Sequence, residues 1–438
     1  MPYIICCSLI NLTIIKVNKA LFIYRESGKK LTSNKMDQSY LIETLSEAAD
    51  IVKEITNAKG ATIAASNQGK GSMLPSSAEL WNNENNNGYE YVWFPSKISE
   101  LDKVADRIIE VEDVIEDDRP GYTYPEYQKR RAMFTKIALN YKQGNPIPLI
   151  DYLDTEIATW RIVYTTLQNL YEKYACKEYL TNFQLLIKYC GYSPDNIPQL
   201  QHISQFLRER SGFTLRPVAG YMSPRDFLSG LAFRVFNCTQ YIRHPSKPFY
   251  TVEPDCIHEL LGHMPLLADR SFAEFSQEIG LASMGASDEE VQKLANLYFF
   301  TVEFGLCRQN GIIKAYGAGL FGSAKEFEHA MTTPERQREF DLEQIMEMEC
   351  KVTSYQDFYY ITNSFTEAIK KLRDFATGMK RPFSVRYDPY TQSVLTVRNK
   401  QDIETYAKEL KSNFDNFMSC LRNIDMATKS INNQHDDK

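Results

Sequence analysis

The 438-residue sequence lacks the long apolar runs and the excess of one charge that characterise several common protein classes. No apolar run reaches the roughly 18–20 residues that a membrane-spanning helix needs. The formal net charge is only −6, from 50 basic and 56 acidic residues. A charge this small argues against nucleic acid or an anionic membrane as the main partner. We therefore expect neither partner.

The sequence also lacks the signs of a disulfide framework. Its nine cysteines are odd in number, widely scattered along the chain and form no CxxC motif. A disulfide framework favours an even count in a short secreted chain, so we predict reduced thiols and a cytoplasmic location. The apolar stretch Met1–Ile15 is not expected to be a secretory signal. No lysine or arginine stands before its apolar residues, and Lys16 and Lys19 follow the stretch closely.

What the sequence does contain is ample apolar material, at 43% of all residues, with 27 tyrosines and 24 phenylalanines. The chain is longer than one hydrophobic core usually supports, so we predict a main domain with appendages. Residues 1–90 read as an N-terminal regulatory segment that ends in a Gly-, Ser- and Asn-rich linker over 66–90. Residues 91–398 read as a catalytic domain, 399–426 as an oligomerisation helix and 427–438 as a disordered tail.

Helical spacing of apolar residues dominates, so the fold class predicted is mainly α with little sheet. In the N-terminal segment the pattern predicts a helix at Leu41–Ile55 and a strand at Ala61–Ala65. Further helices are predicted at Leu101–Val111, Tyr124–Asn140, Asp154–Lys173, Asn182–Cys190 and Ile203–Glu209. The best candidate for a β-hairpin is formed by Ser384–Tyr387 and Ser393–Val397, on either side of Asp388-Pro389.

The last part of the catalytic chain is followed by a heptad pattern. Its apolar positions are spaced alternately by four and three residues: Ile403, Ala407, Leu410, Phe414, Phe417, Leu421 and Ile424. Such a seam must be buried against another surface. We favour a helix bundle with other subunits over docking on the same chain.

Two of the six histidines, His258 and His263, lie five residues apart. The zinc-protease motif HExxH spaces its histidines by four, which puts both on one helix face. Five residues advance a regular helix by about 500°, so these rings would point ~140° apart. We therefore predict that they share a metal only if a helix begins or ends between them, with Gly262 allowing the backbone to turn. A zinc hydrolase is disfavoured on the same geometry.

Two histidines and one carboxylate on one face of an octahedral ion suit a non-haem Fe(II) enzyme, because three positions stay open. Glu303, within an aromatic run, is the strongest candidate for the carboxylate, since burying it is costly without a cation. Two ordinary polar histidines remain the alternative. Arg243, His244 and Asp255 flank the same stretch. They suggest either a site for a carboxylate or a structural ion pair.

At this point the sequence resembles a known family, the pterin-dependent aromatic amino acid hydroxylases. The resemblance runs from about Trp93 to Tyr390. It rests on the segments Arg216–Phe227, Leu231–His244, Glu253–Asp255, His258–His263, Phe272–Gly285 and Phe300–Gly305. It implies a mostly helical catalytic fold, one Fe(II) ion, tetrahydrobiopterin and O2 as co-substrates, and a homo-tetramer formed through the C-terminal helix. Residues 41–65 resemble the second half of an α+β ACT-type regulatory module.

The resemblance also assigns residues. It implies that His258, His263 and Glu303 bind the iron and carry the catalysis. It places four residues at the pterin: Gly220, Phe227, Asn237 and Glu259. It places eight around the amino acid substrate: Tyr221, Arg243, Thr251, Asp255, Phe299, Gly322, Ser323 and Val352.

The residues near the ring of the substrate favour L-tryptophan. Phe299 stands where the phenylalanine and tyrosine enzymes have tryptophan, and a smaller ring leaves room for an indole. Val352 stands where the tyrosine enzymes have a characteristic aspartate. The resemblance thus implies hydroxylation at the indole 5-position, the first step of serotonin biosynthesis in that family. The alternatives are phenylalanine 4-hydroxylation and a catalytically impaired regulatory or scaffold relative.

Four positions depart from the family pattern. Val252 replaces a proline, Gly322 replaces a serine that contacts substrate and a ligand histidine, Asn237 replaces a histidine near the pterin, and Ile257 replaces a cysteine. These departures put substrate affinity and coupling in doubt, but they leave the iron ligands unchanged.

Overall fold

The computed structural model describes residues 92–108, 124–249, 251, 253–351 and 354–436, with side chains up to residue 423. The predicted N-terminal regulatory segment, including its ACT-like part and linker, lies outside the described residues. Val252 and Val352 lie outside them too. The chain divides into two compact units. One consists of Asn83–Arg381 and Val385–Leu395, and the other of Met1–Asn82, Pro382–Ser384 and Thr396–Lys438.

The first unit is predominantly helical, as the sequence predicts. Its α-helices are Pro125–Asn140 (α1), Asp154–Tyr174 (α2), Lys177–Cys190 (α3), Leu200–Arg210 (α4), Pro224–Ala232 (α5), Cys256–His258 (α6), Met264–Leu267 (α7), Arg270–Ser283 (α8), Asp288–Tyr298 (α9), Ala318–Phe321 (α10), Ala324–Thr332 (α11), Leu342–Glu347 (α12) and Phe365–Gly378 (α13). Two π-helical turns, Glu259–His263 and Phe299–Glu303, continue α6 and α9. Short 3-10 helices lie at Ile98–Lys103 and Pro334–Arg336.

Four predicted helices are confirmed as α1 to α4, although α3 begins five residues before the predicted start at Asn182. The helix predicted at Leu101–Val111 is wrong for the part that the structure describes. A 3-10 helix ends at Lys103, and turns follow it to Asp106. The apolar spacing there serves a packed loop instead, since Leu101 and Val104 are both buried.

The sheets are small but more numerous than predicted. Thr214–Pro217 (β1) pairs in parallel with Val235–Cys238 (β2). Leu306–Gln309 (β3), Ile312–Ala315 (β4), Gln337–Glu339 (β5) and Tyr359–Thr362 (β6) form a mixed sheet in the order β4-β3-β6-β5. The predicted hairpin strands are confirmed, because Ser384–Asp388 (β7) pairs with Ser393–Val397 (β8). Strands of three or four residues show too little alternation to be seen in sequence.

Aromatic side chains form the core behind the two π-turns. The ring of Tyr179 stacks on Phe321, with centroids 3.9 Å apart, and Phe183 and Tyr171 contact Tyr179 in turn. Trp160 on α2 is fully buried beside Tyr192. This packing joins α2 and α3 to the segment Ala318–Phe321, which lies against the first π-turn.

The second unit contains the C-terminal helix Lys400–Asp436 (α14). Ile403 and Ala407 of the heptad seam are buried, and Leu410, Phe414, Phe417 and Leu421 are half-buried. The prediction of a disordered tail from residue 427 is wrong as far as Asp436, because the helix continues to that residue. No glycine or proline interrupts residues 427–436, so nothing local stops the helix. No described helix combines the length and the apolar character needed to cross a membrane.

Close packing of α8 on α5 gives a prediction for stability. A Cβ atom on Gly280 would lie 2.3 Å from the backbone nitrogen of Ala232 and 2.8 Å from the carbonyl oxygen of Leu228. We expect Gly280→Ala to lower the free energy of unfolding by about 1–3 kcal/mol, because the helices must separate. The control is Gly378→Ala, where no atom lies within 4 Å. Urea denaturation measures both, and equal values would contradict the packing.

Candidate metal centre and its cavity

A π-helical turn places His258 and His263 on the same face of their helix. In a π-turn each N–H bonds to the carbonyl five residues earlier, so residues five apart lie above one another. The N–H of Met264 bonds to the carbonyl of Glu259 in this way. The helix therefore neither begins nor ends between the histidines, and that prediction is wrong. Gly262 does not turn the backbone either: a Cβ there would lie 2.7 Å from the carbonyl oxygen of Ala318.

Tyrosine hydroxyl groups hold this π-turn in place. A π-turn disturbs the regular hydrogen bonding of a helix, so its carbonyl groups need other donors. Tyr179 donates to the carbonyl of Leu261 at 2.7 Å, and Tyr192 donates to that of Leu260 at 3.0 Å. Both tyrosines are fully buried. The aromatic core thus fixes the turn that orients the histidines.

The second π-turn brings Glu303 to the same point. It extends α9 from Phe299 to Glu303, and the N–H of Phe304 bonds to the carbonyl of Phe299. Gly305 and Gly317 then allow the chain to fold back closely, since a Cβ on Gly317 would lie 2.4 Å from the carbonyl oxygen of Glu303. The carboxylate is thereby directed to the two imidazoles.

The three side chains form a ligand set of the right size for one metal ion. The Nε2 atoms of His258 and His263 are 3.0 Å apart. The carboxylate oxygens of Glu303 lie 3.4 Å from Nε2 of His258 and 3.1 Å from Nε2 of His263. Two ligands at right angles, with bonds of about 2.1 Å, are separated by about 3 Å. Adjacent positions of an octahedral ion fit these distances.

The protonation of His258 and Glu303 also suits a cation. Burial lowers the pKa of His258 to about 4, so its imidazole is neutral near pH 7 and can donate its lone pair. Burial alone would raise the pKa of Glu303, but His263 and His258 outweigh it and hold the pKa below its usual range. Glu259 also has an oxygen within 4.8 Å of both histidine donors. Glu303 is closer, and Glu259 bonds to Thr239 instead.

Arg243 and Asp255 form a buried pair next to the metal ligands. Asp255 accepts hydrogen bonds from Nε of Arg243 at 2.9 Å and from Nη2 at 2.7 Å. The same carboxylate accepts from the backbone N–H of His258, so it also caps the helix that carries this ligand. His244 is not part of the pair, because it stacks on Tyr124. Asp255 therefore ties the position of Arg243 to that of the metal centre.

A cavity of about 340 Å³ opens beside the three ligands. Most of the residues predicted for the site line it: Gly220, Tyr221, Phe227, Asn237, Arg243, Thr251, His258, Glu259, Phe299, Glu303, Gly322 and Ser323. Asp255 is fully buried behind Arg243, and His263 is buried at the base of the site. Val352 lies outside the described residues. The sequence predictions thus meet at one place.

The part of the cavity next to the histidines offers an aromatic ring and a carboxyl group. The ring of Phe227 is partly exposed, and Phe236 and Tyr298 hold it by edge contacts. Oε1 of Glu259 accepts from the N–H and the hydroxyl of Thr239, at 3.2 Å each, and burial raises the pKa of Glu259 to about 8. A flat heterocycle with N–H donors fits between such groups.

Gly322 leaves a small space next to a metal ligand. A Cβ there would lie 3.5 Å from both Cα and Nδ1 of His258, which is ordinary van der Waals contact. Ser323 begins α11 without capping it through its side chain. The hydroxyl of Thr251 bonds to the carbonyl of Glu253.

Several residues that line the cavity were not among the predicted site residues, and two of them, Tyr298 and Glu326, bear on its chemistry. Tyr298 lines it, and its buried hydroxyl has no hydrogen-bond partner among the described residues. The sequence signal that could have placed Tyr298 at the site was its position directly before Phe299. Glu326 also lines the cavity. In sequence it resembles an ordinary acidic residue in the first turn of a helix, so no signal distinguished it.

Comparison with known proteins gives a consistent match. The profile of the biopterin-dependent aromatic amino acid hydroxylase family matches residues 92–422. Tryptophan 5-hydroxylase of Xenopus laevis is 54% identical over 74% of this chain and 67% of its own length. Human phenylalanine-4-hydroxylase is 52% identical over 76% and 74%, and mouse tyrosine 3-monooxygenase is 54% identical over 69% and 61%. The three identities are too similar to separate the substrates.

Solved structures agree with the fold. Phenylalanine hydroxylase of Chromobacterium violaceum, with bound iron(III) and 7,8-dihydrobiopterin, superposes with a TM-score of 0.50 at 28% identity. The match covers 57% of this chain and 89% of that one.

The ligand set predicts that metal binding depends on each of its three members. We expect Glu303→Ala to weaken binding of a divalent first-row metal by at least about 100-fold. Mutating a residue that only hydrogen-bonds to a metal ligand typically weakens metal affinity by 10–100-fold, and a ligand itself should matter at least as much. The control is His202→Ala, which removes an exposed histidine. Metal titration of the apoprotein measures both variants, and unchanged affinity in Glu303→Ala would contradict the assignment.

The space at Gly322 predicts a gain of affinity. We expect Gly322→Ser to tighten metal binding by up to about 10-fold, because its hydroxyl can reach Nδ1 of His258 and orient the ring. Gly322→Ala fills the same space without a hydroxyl and is the matched control. The same titration compares them; an equal change in both variants would mean that filling the space, rather than the hydrogen bond, matters.

Proposed function

This chain belongs to the biopterin-dependent aromatic amino acid hydroxylases, and we propose that it hydroxylates L-tryptophan at the 5-position of the indole ring. The observation that carries the proposal is Phe299. It lines the cavity and packs on Phe304, with ring centroids 4.8 Å apart. The relatives that act on phenylalanine and tyrosine resemble this chain but have the larger tryptophan ring at this position. The smaller ring favours an indole.

We further propose that His258, His263 and Glu303 hold Fe(II), with tetrahydrobiopterin and O2 as co-substrates. The separations of about 3 Å fit a single ion, and three positions of an octahedron stay open for other ligands. The iron and dihydrobiopterin in the Chromobacterium violaceum enzyme support the same assignment. When bound, iron and pterin together supply the redox chemistry that activates O2. The protein supplies binding, orientation and exclusion of water.

Each part of the cavity has a role in this proposal. Phe227 stacks on the pterin, Glu259 accepts a hydrogen bond from its ring, and Gly220 and Asn237 complete its pocket. Asn237 is buried and offers a shorter side chain than the histidine of relatives. An amide cannot carry a proton charge, so pterin recognition at this position depends on neutral hydrogen bonds.

On the substrate side, Arg243 binds the carboxylate of the amino acid, and Asp255 orients the guanidinium group. Tyr221, Thr251, Gly322, Ser323 and Val352 complete the pocket around the substrate. The apolar rings of Phe227, Phe299 and Phe304 restrict water at the reacting centre. Restricting water limits wasteful discharge of activated oxygen.

A non-catalytic scaffold is the weaker alternative. The support for a scaffold came from Gly322 and Val252, two positions at which the sequence departs from the family pattern. The convergence of the three ligand atoms, and the π-turns that enforce it, favours a working metal centre instead. Such turns are frequent at functional sites.

We also propose a homo-tetramer formed through α14. The seam from Leu410 to Leu421 is half-buried, whereas most of its neighbours on the helix are exposed. An apolar strip along a helix is suited to pairing with copies of itself. A cytoplasmic location is proposed as well, because seven described cysteines, including Cys176 and Cys307, are free thiols.

The assignment of substrate predicts the result of one competition assay. Tryptophan, phenylalanine and tyrosine are offered together, and we expect 5-hydroxytryptophan as the main product. Phe299→Trp should shift the ratio of kcat/KM towards phenylalanine by about 10-fold or more, because the larger ring excludes the indole. The exposed Phe249→Trp, at the edge of the cavity, is the control. A main product from phenylalanine, or an unchanged ratio, would contradict the role of Phe299.

A further inference from the structure

Glu326 is a carboxyl group of the cavity wall with a free oxygen. Its Oε1 atom accepts hydrogen bonds from the N–H of Gln356 at 3.3 Å and from the hydroxyl of Tyr359 at 3.1 Å. Among the described residues, nothing donates a hydrogen bond to Oε2. One oxygen is thus fixed by the protein, and the other is available to a molecule in the cavity.

The surroundings of this carboxyl favour a cationic guest. Burial raises the pKa of Glu326 to about 7. No lysine or arginine of the described residues forms an ion pair with it. A buried carboxylate is costly unless a cation and hydrogen bonds compensate it. A positively charged group in the cavity would provide this compensation.

The other carboxyl groups near the cavity have contacts or proposed roles of their own. Glu303 contacts both histidines, and Glu259 bonds to Thr239. Both oxygens of Asp255 accept from Arg243. Glu259, like Glu326, has no donor to its Oε2 among the described residues, but the proposed function assigns Glu259 to the pterin. Glu326 is then the carboxyl group left for a new partner.

Arg243 and Glu326 line the same cavity. The Nη1 atom of Arg243 donates to the carbonyl of Gly322 at 3.3 Å. The helix α11 begins two residues later, and Glu326 is in its first turn. The cavity thus presents a guanidinium group bonded to Gly322 and, four residues further along the chain, the carboxyl group of Glu326. An α-amino acid carries a carboxylate and an ammonium group on one carbon atom, so its two binding groups must be neighbours.

We propose that Glu326 binds the α-ammonium group of the amino acid substrate through Oε2, opposite the site for the substrate carboxylate at Arg243. The proposal rests on the proposed function only in taking an α-amino acid as the substrate. It does not depend on which aromatic ring the substrate carries, since the ammonium group is common to all three amino acids.

A purely structural role for Glu326 must be separated from this one. The side chain of Gln356 bonds to the backbone N–H and carbonyl of Lys351, at 3.2 and 2.6 Å, so Glu326 also helps to hold this loop. Glu326→Gln distinguishes the two roles. The amide keeps an acceptor for Gln356 and Tyr359, but it loses the charge and can place an NH2 group towards the cavity.

The experiment compares two kinds of ligand on the full-length protein loaded with iron and pterin. Calorimetry measures the Kd of L-tryptophan and L-phenylalanine, and of 3-indolepropionate and 3-phenylpropionate, which lack the amino group. In Glu326→Gln we expect the amino acids to bind about 10- to 100-fold more weakly, the range for a lost charged hydrogen bond. The two analogues should bind as they do to the unchanged protein. Glu328→Gln, exposed on the same helix, is the matched control.

Two outcomes would overturn the proposal. An equal loss for amino acids and analogues would mean that Glu326 acts only by holding the loop. A loss confined to the two indole ligands would mean that it binds the indole N–H instead. A preference for phenylalanine over tryptophan in the unchanged protein would reject the proposed substrate. It would leave this result intact, because both substrates carry the same ammonium group.

Discussion

The function of this molecule depends on the convergence of three ligand atoms from two helices to within about 3 Å of one another. Two π-turns make this convergence possible. One aligns His258 with His263, and the other ends at Glu303. Each turn disrupts the regular hydrogen bonding of its helix. In the turn that contains His263, buried tyrosines compensate by donating hydrogen bonds to the carbonyl groups. The aromatic core is therefore part of the metal centre and not only a source of stability.

The same geometry connects the candidate metal ligands with the buried guanidinium group of Arg243. Asp255 accepts hydrogen bonds from the backbone N–H of His258 and from Nε and Nη2 of Arg243. Because the pair is buried, removing either partner would leave an uncompensated charge. Arg243 reaches the carbonyl of Gly322, next to the helix that carries Glu326. His258, Asp255 and the guanidinium group thus belong to one hydrogen-bonded framework, and Glu326 lies four residues beyond Gly322, where that framework ends.

Much of this arrangement was predictable from the sequence, because chemistry depends on residue types. Glu303, within its aromatic run, stands out as a group that is costly to bury without a cation. For the two histidines and Arg243, the resemblance to the family decided between the alternatives that residue types left open. The π-turns were not predictable, since helical periodicity assumes 3.6 residues per turn, and a spacing of five then suggests a break. The role of Gly262 was missed for a related reason, as its close contact with Ala318 is a tertiary one. Glu326 escaped notice because only burial distinguishes it.

The central claim is that one metal ion bridges His258, His263 and Glu303, and diffraction tests it most directly. Crystals of the protein loaded with Fe(II) would be measured on both sides of the iron absorption edge. The account predicts one strong anomalous peak, about 2.1 Å from Nε2 of each histidine and from a Glu303 oxygen. A peak bound by Glu259 with Glu303 unligated, or no peak between these side chains, would contradict it.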